Sequence, residues 1–102
     1  MLDDAAYAQR FAEDRRALAG WGPERIEKDL ARRGVPVELI EAALAVRTRE
    51  DEFTAARSLL AQRFREPLAD DRTRNRAWQL LVRRGYDAEL AYDAVREHSR
   101  AA

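Results

Sequence analysis

The sequence contains no cysteine, so disulfides and thiolate metal sites are excluded and a reducing, cytoplasmic setting is expected. It has one histidine, His98, and therefore no second imidazole to build a zinc site. No apolar run approaches the roughly 20 residues that a membrane span needs. The acidic start, Met1-Leu2-Asp3-Asp4, lacks the basic and apolar stretches of a signal peptide. Glycine (4) and proline (3) are scarce and stand where helices are expected to end, which argues against a disordered or all-β chain. There is no net charge, since 19 basic residues balance 19 acidic ones. A bulk electrostatic pull on nucleic acid is therefore not expected, whereas a local patch is compatible with neutrality. Lysine is nearly absent: Lys28 stands alone among arginines. Arginine suits bidentate pairing with carboxylates or phosphates, and a GC-rich coding sequence explains the bias equally well.

What is present is a chain of 102 residues, 46% hydrophobic and 37% charged, enough for one domain or two small units sharing a core. The apolar spacing predicts six helices. The first runs from about Asp4 to Ala19 with Tyr7, Ala8, Phe11, Ala12 and Leu18 on one side, capped by Asp3 or Asp4. The second starts at Pro23, carries Ile26 and Leu30 inward and ends at Gly34. The third spans about Pro36 to Val46, with Val37, Ile40, Ala43 and Leu44 on one face. The fourth opens at Thr48 and Asp51, a capping-box spacing, carries Phe53, Ala56, Leu59, Leu60 and Phe64, and stops before Pro67. The fifth covers about Asp71 to Arg84, with Ala77, Trp78 and Leu81 inward and Gly85 at its end. The sixth begins at Asp87, as N-cap, and carries Leu90, Ala91, Ala94 and Val95 to about Ser99.

A repeat with an offset of 51 residues links the halves. Leu30-x-Arg32-Arg33-Gly34 recurs as Leu81-x-Arg83-Arg84-Gly85, followed by Glu38-Leu39 and Glu89-Leu90, then Ala43 and Ala94. The unit is helix, glycine stop, helix, with Val35 and Tyr86 positioned to pack back as staples. The expected fold is all-α: two tandem three-helix repeats, residues 1–48 and 49–102, forming an elongated helical domain in which each unit covers its neighbour's apolar face.

No catalytic constellation is visible. His98 lies near a helix end, where the helix dipole favours positive charge. Asp3-Asp4 and Asp70-Asp71 precede helices, so capping explains them. Ser58 and Ser99 have no base at a readable spacing. Gly20-Trp21-Gly22-Pro23 lacks the spacing and the Lys-Ser/Thr ending of a phosphate loop and reads as a tight turn with a packed tryptophan. The informative feature is charge. Arg72, Arg74, Arg76, Arg83 and Arg84 stand between Arg72 and Tyr86 with no acid among them. Arg72, Arg76 and Arg83 share one helical face, as do Arg25, Lys28 and Arg32 on the second helix. Under the repeat, Arg25 matches Arg76 and Arg32 matches Arg83, so the units are expected to present basic stripes in equivalent places. The helices after each glycine carry acids: Glu38 and Glu41, then Asp87, Glu89, Asp93 and Glu97. Such faces serve either as ordinary solvated surface with weak ion pairs or as docking surface for a charged partner.

The blocks Phe11-Ala12, Gly20-Trp21-Gly22-Pro23-Glu24-Arg25-Ile26, Asp29-Leu30-Ala31-Arg32-Arg33-Gly34-Val35, Ile40 and Ala43-Leu44 resemble the RecX family of bacterial recombinase regulators. So do Leu80-Leu81-Val82-Arg83-Arg84-Gly85-Tyr86, Leu90 and Ala94-Val95, and together they span most of the chain. The resemblance implies repeated three-helix units that bind RecA protein and RecA-coated single-stranded DNA. It further implies modulation, usually inhibition, of strand exchange, ATP hydrolysis and the co-protease activity behind the SOS response. It implies no catalytic residue, cofactor, membrane or small-molecule substrate. Members usually carry another three-helix unit ahead of the Phe11 block. This chain starts almost at that block, as a fragment, a short member or a mis-started reading frame would.

The basic residues expected to meet the filament or DNA are Arg25, Lys28, Arg32, Arg33, Arg72, Arg76, Arg83 and Arg84. The alternative is a small helical DNA-binding module that uses the arginine stripes, since helix–Gly–helix can mimic a helix-turn-helix. Neutrality and the neighbouring Glu24, Glu27 and Asp29 weigh against it. A plain helical scaffold or dimerisation unit is a third reading.

Overall fold

Local capping sets the ends of the helices in the computed structural model, which describes residues 3–100. The part of the acidic start formed by Met1 and Leu2 lies outside those residues. Six helices follow in order: α1 (Asp4–Ala19), α2 (Pro23–Arg32), α3 (Val37–Leu44), α4 (Arg49–Arg63), α5 (Asp71–Arg84) and α6 (Ala88–Arg100), with no strand among the described residues. Asp3 accepts from the amides of Ala5 and Ala6 at the start of α1. Thr48 and Asp51 form the reciprocal capping box of α4. Asp70 accepts from the Thr73 amide and Asp87 from the Leu90 amide. Each carboxylate or hydroxyl satisfies an amide that the helix itself leaves open.

The repeat is structural as well as sequential. The Val35 amide donates to the Leu30 carbonyl and the Tyr86 amide to the Leu81 carbonyl, both over glycines with positive φ (Gly34 +86°, Gly85 +104°). The stapling residues Val35 and Tyr86 are buried, completing the apolar contact that goes with this helix stop.

Two cores result. Ala8, Phe11, Ala12, Ile26, Leu30, Val35, Ile40 and Ala43 close the first, across α1, α2 and α3. Ala56, Leu60, Leu68, Ala77, Leu81, Tyr86, Leu90 and Ala94 anchor the second, across α4, α5 and α6. The molecule extends over 52 × 20 × 19 Å.

Some apolar expectations fail at helix ends. Leu18 is 83% exposed, because α1 has 16 residues against 8 in α3 and its last turn has no α3 to pack on. Val37 is 56% exposed, in the first turn of a shorter α3 whose N-cap is Pro36 and which stops at Leu44 rather than Val46. Tyr7 is 40% exposed, and its hydroxyl accepts from Arg33 Nη1.

Candidate functional site

The two units meet end to end. Helix α5 terminates against the start of α2: the Gly22 amide donates to the Arg84 carbonyl at 2.7 Å and the Glu24 amide to the Gly85 carbonyl at 2.9 Å. Arg25 Nη1 donates to the Arg83 carbonyl at 3.2 Å. The open carbonyls of one helix C-terminus thus meet the open amides of another helix N-terminus, and the opposite ends of the two dipoles attract. Only glycine allows the approach. A Cβ on Gly22 would lie 2.7 Å from the Gly85 carbonyl, and one on Gly85 would lie 2.4 Å from Arg25 Cβ. Gly34 holds the same place in the first repeat, yet a Cβ there would meet nothing within 4 Å.

This joint decides what the basic residues do. Arg83 and Val82 of α5 share a shallow groove of about 300 Å³ with Arg25, Lys28 and Arg32 of α2. The end of the α5 stripe therefore borders the α2 stripe across the joint, in a groove that Glu24 and Asp29 also line. Lys28, Arg72, Arg76 and Arg83 are exposed, and none has a side-chain ion pair or hydrogen bond among the described residues.

The other four expected site residues are occupied to differing degrees. Arg25 lies over the Trp21 ring at 4.2 Å, and Arg15 over it at 5.0 Å. Such stacking favours a desolvated guanidinium. Arg32 pairs loosely with Asp29 at 3.6 Å and keeps a 74% exposed side chain. Arg33 turns away to α1: it donates to Asp29 and the Tyr7 hydroxyl and stacks on Phe11. Those two hydrogen bonds hold its guanidinium above the ordinary value. Arg84 is half-buried and donates to the Ala19 carbonyl across the joint. Burial, then the neighbouring Arg63, Arg25 and Arg83 cations, push it below the ordinary value.

A second group at the joint was not singled out from the sequence. Glu52 is buried at 5% exposure, with Arg47 Nη2 at 3.2 Å and Arg16 Nη2 at 3.9 Å. Burial pushes the Glu52 carboxyl above its ordinary range, against the pull of both arginines. Tyr86 is buried beside them and its phenol is likewise raised, again by burial first. The signal was readable, because Glu52 falls in line with Ala56, Leu59 and Leu60 on the apolar stripe of α4, and Arg16 with Ala8 and Ala12 on that of α1. A charge on each of two apolar stripes points to a buried pair.

His98 sits against the Phe64 carbonyl at 3.1 Å, tying α6 to the end of α4. Among the described residues no helix is long and apolar enough to cross a membrane, and no cluster of three or more acids and histidines could hold a metal.

The comparisons agree with this architecture. Residues 3–44 match the family model for the second three-helix domain of RecX, and residues 50–95 match that for the third. The protein from Thermobifida fusca named regulatory protein RecX is 34% identical over 104 residues, covering 99% of this chain and 56% of that protein. Its namesake from Mycolicibacterium vanbaalenii is 33% identical over 103 residues, covering 93% of this chain and 56% of its own. The chain thus spans about half the length of the curated relatives it matches. The crystal structure of RecX from Lactobacillus salivarius superposes with a TM-score of 0.79 at 20% identity, covering 99% of this chain and 66% of that one, a likeness of fold. With two successive family domains in the right order on two successive helical units, the chain belongs to the RecX family.

Proposed function

We propose that this chain regulates a recombinase by docking on RecA, or on the RecA–single-stranded DNA filament, and modulates its recombinase, ATPase and co-protease activities in the cytoplasm, with no cofactor and no chemistry of its own. The observation that carries the reading is the set of exposed cations that α5 and α2 bring to either side of the joint. Lys28, Arg72, Arg76 and Arg83 are exposed and unpaired, and Arg83 borders Arg25 and Arg32 across the joint. A row of exposed cations suits a repetitive partner that offers carboxylates and phosphates at intervals, since arginine pairs with either in a bidentate way. That the named relatives are regulators supports the same reading. Arg33 and Arg84 act in it as supports: Arg33 is engaged by Asp29 and Tyr7, and Arg84 gives one donor, Nη1, to the Ala19 carbonyl.

The test is co-sedimentation and ATPase measurement with RecA, with and without single-stranded DNA. The protein should bind the assembled filament and change its ATPase rate. The Arg76→Glu/Arg83→Glu double variant should lose about tenfold or more in binding with unchanged helicity, because rim charges steer docking without supporting the fold. A double variant that binds as well as the parent overturns the basic-row assignment. Tight, salt-sensitive binding to bare DNA with no effect on RecA would replace this reading with the DNA-module one.

A further inference from the structure

Beside the joint lies a cleft of about 1250 Å³ between the end of α1 and α4. It is lined by Arg16, Arg25, Arg47, Arg63 and Arg84, with Glu13 and Asp14 as the lining acids. The Arg16 side chain is 9% exposed, and neither its Nε nor its Nη2 has a hydrogen-bond partner. Glu52 Oε2 approaches it only to 3.9 Å, close enough to balance charge and too far to accept a hydrogen bond. A buried guanidinium with open donors is costly unless something supplies an acceptor. Burial already depresses both Arg16 and Arg84 below the ordinary arginine value. The lip is apolar, with Leu18 83% and Val46 64% exposed on either side. These two are among the most exposed large hydrophobics of the described residues, and they line the same cleft as Arg16.

We propose that this cleft binds a short acidic segment of a partner protein, with a side-chain carboxylate accepting from Arg16 and Arg84 and an adjacent aliphatic side chain lying on Leu18 and Val46. The guanidinium fork matches a carboxylate, and the lip supplies the apolar contact that gives a short peptide most of its affinity. A nucleic-acid backbone fits less well: it has no aliphatic group for the lip, and Glu13 and Asp14 would repel its continuous charge. Of the basic row the site shares only Arg25, and it does not depend on the partner being a recombinase.

The probe is a blocked hexapeptide alternating glutamate with leucine, added to the 15N-labelled chain, alongside its glutamine counterpart, inorganic phosphate and oligothymidylate. The acidic peptide should shift the Arg16 and Arg84 Nε resonances and the Leu18 and Val46 amides. The glutamine peptide should bind about tenfold more weakly, the loss expected for a charge-assisted hydrogen bond. Leu18→Ser and Arg63→Ser, both exposed and so expected to fold normally, should each weaken the acidic peptide. Glu13→Lys should tighten it by easing repulsion at the rim. Equal binding of the two peptides, shifts confined to Lys28 and Arg83, or oligothymidylate taking the cleft in place of the peptide would each overturn the assignment. Because no arm contains RecA, its failure and the failure of the docking reading are separate results.

Discussion

Three glycines show how one residue type answers different needs at different positions. Gly34 has a φ of +86° and open space around it, so Gly34→Ala meets only the left-handed backbone and should cost about 1 kcal/mol by urea denaturation. Gly85 has a φ of +104° and Arg25 backbone in the way, so Gly85→Ala should cost clearly more and also weaken the joint. Gly22 has an ordinary extended φ of −89° and is needed for space alone. Glu52 is the other residue whose environment sets its worth. Glu52→Lys would place a third cation beside the buried Arg16 and half-buried Arg47 with no counter-charge and should cost about 3 kcal/mol in the same assay. A loss well below 1 kcal/mol would mean that the pair is held open to solvent.

At the scale of the element, the helices are fixed by local chemistry that is visible in order along the chain. Thr48 and Asp51 close the start of α4, and Thr48→Ala should lower stability by about 1 kcal/mol. The cap carboxylates also set an acid limit. Backbone amides hold Asp51, Asp70 and Asp87 below the ordinary aspartate value, with Thr48, Thr73 and Leu90 as the donors. An acid whose folded value is depressed stabilises the fold above its unfolded value, near pH 4, and loses that contribution as the pH falls through the lower folded one. Helicity followed from pH 6 to pH 2 should therefore hold to about pH 4 and then fall. Glu52, raised by burial, acts in the opposite sense, favouring the fold at low pH and less so as the pH rises through its raised value. The fall at low pH should consequently be shallower in the parent than in Glu52→Gln. Helix existence was legible because caps and apolar periodicity are local. The inward reading of Leu18 and Val37 was not, because periodicity carries no information about where a neighbouring helix ends.

For the whole molecule, the decisive feature is a joint built from few contacts: two amides, two guanidinium groups, a pair of glycines and the buried Glu52 with Arg16 and Arg47. Gly22→Val would press a side chain into the Gly85 carbonyl. Each core is complete without the other, so far-UV dichroism should be unchanged while small-angle scattering shows a radius of gyration above the 14.7 Å of the joined Cα trace. An unchanged radius would mean that the joint does not hold the units in line. The same variant should weaken filament binding without touching a single cation of the basic row.

By itself the sequence determined the all-α class, the six helices, the repeat of helix, glycine stop and helix, and the two basic stripes, because each of these is written in residues a few places apart. Only the tertiary structure decided that the end of the α5 stripe borders the α2 stripe across the joint, that Arg84 reaches back 65 residues to the Ala19 carbonyl, and that Glu52 lies buried between Arg16 and Arg47. The physical reason is that a helix end satisfies its open carbonyls with whatever donor the fold delivers, and which donor arrives depends on the packing of residues far apart in the chain.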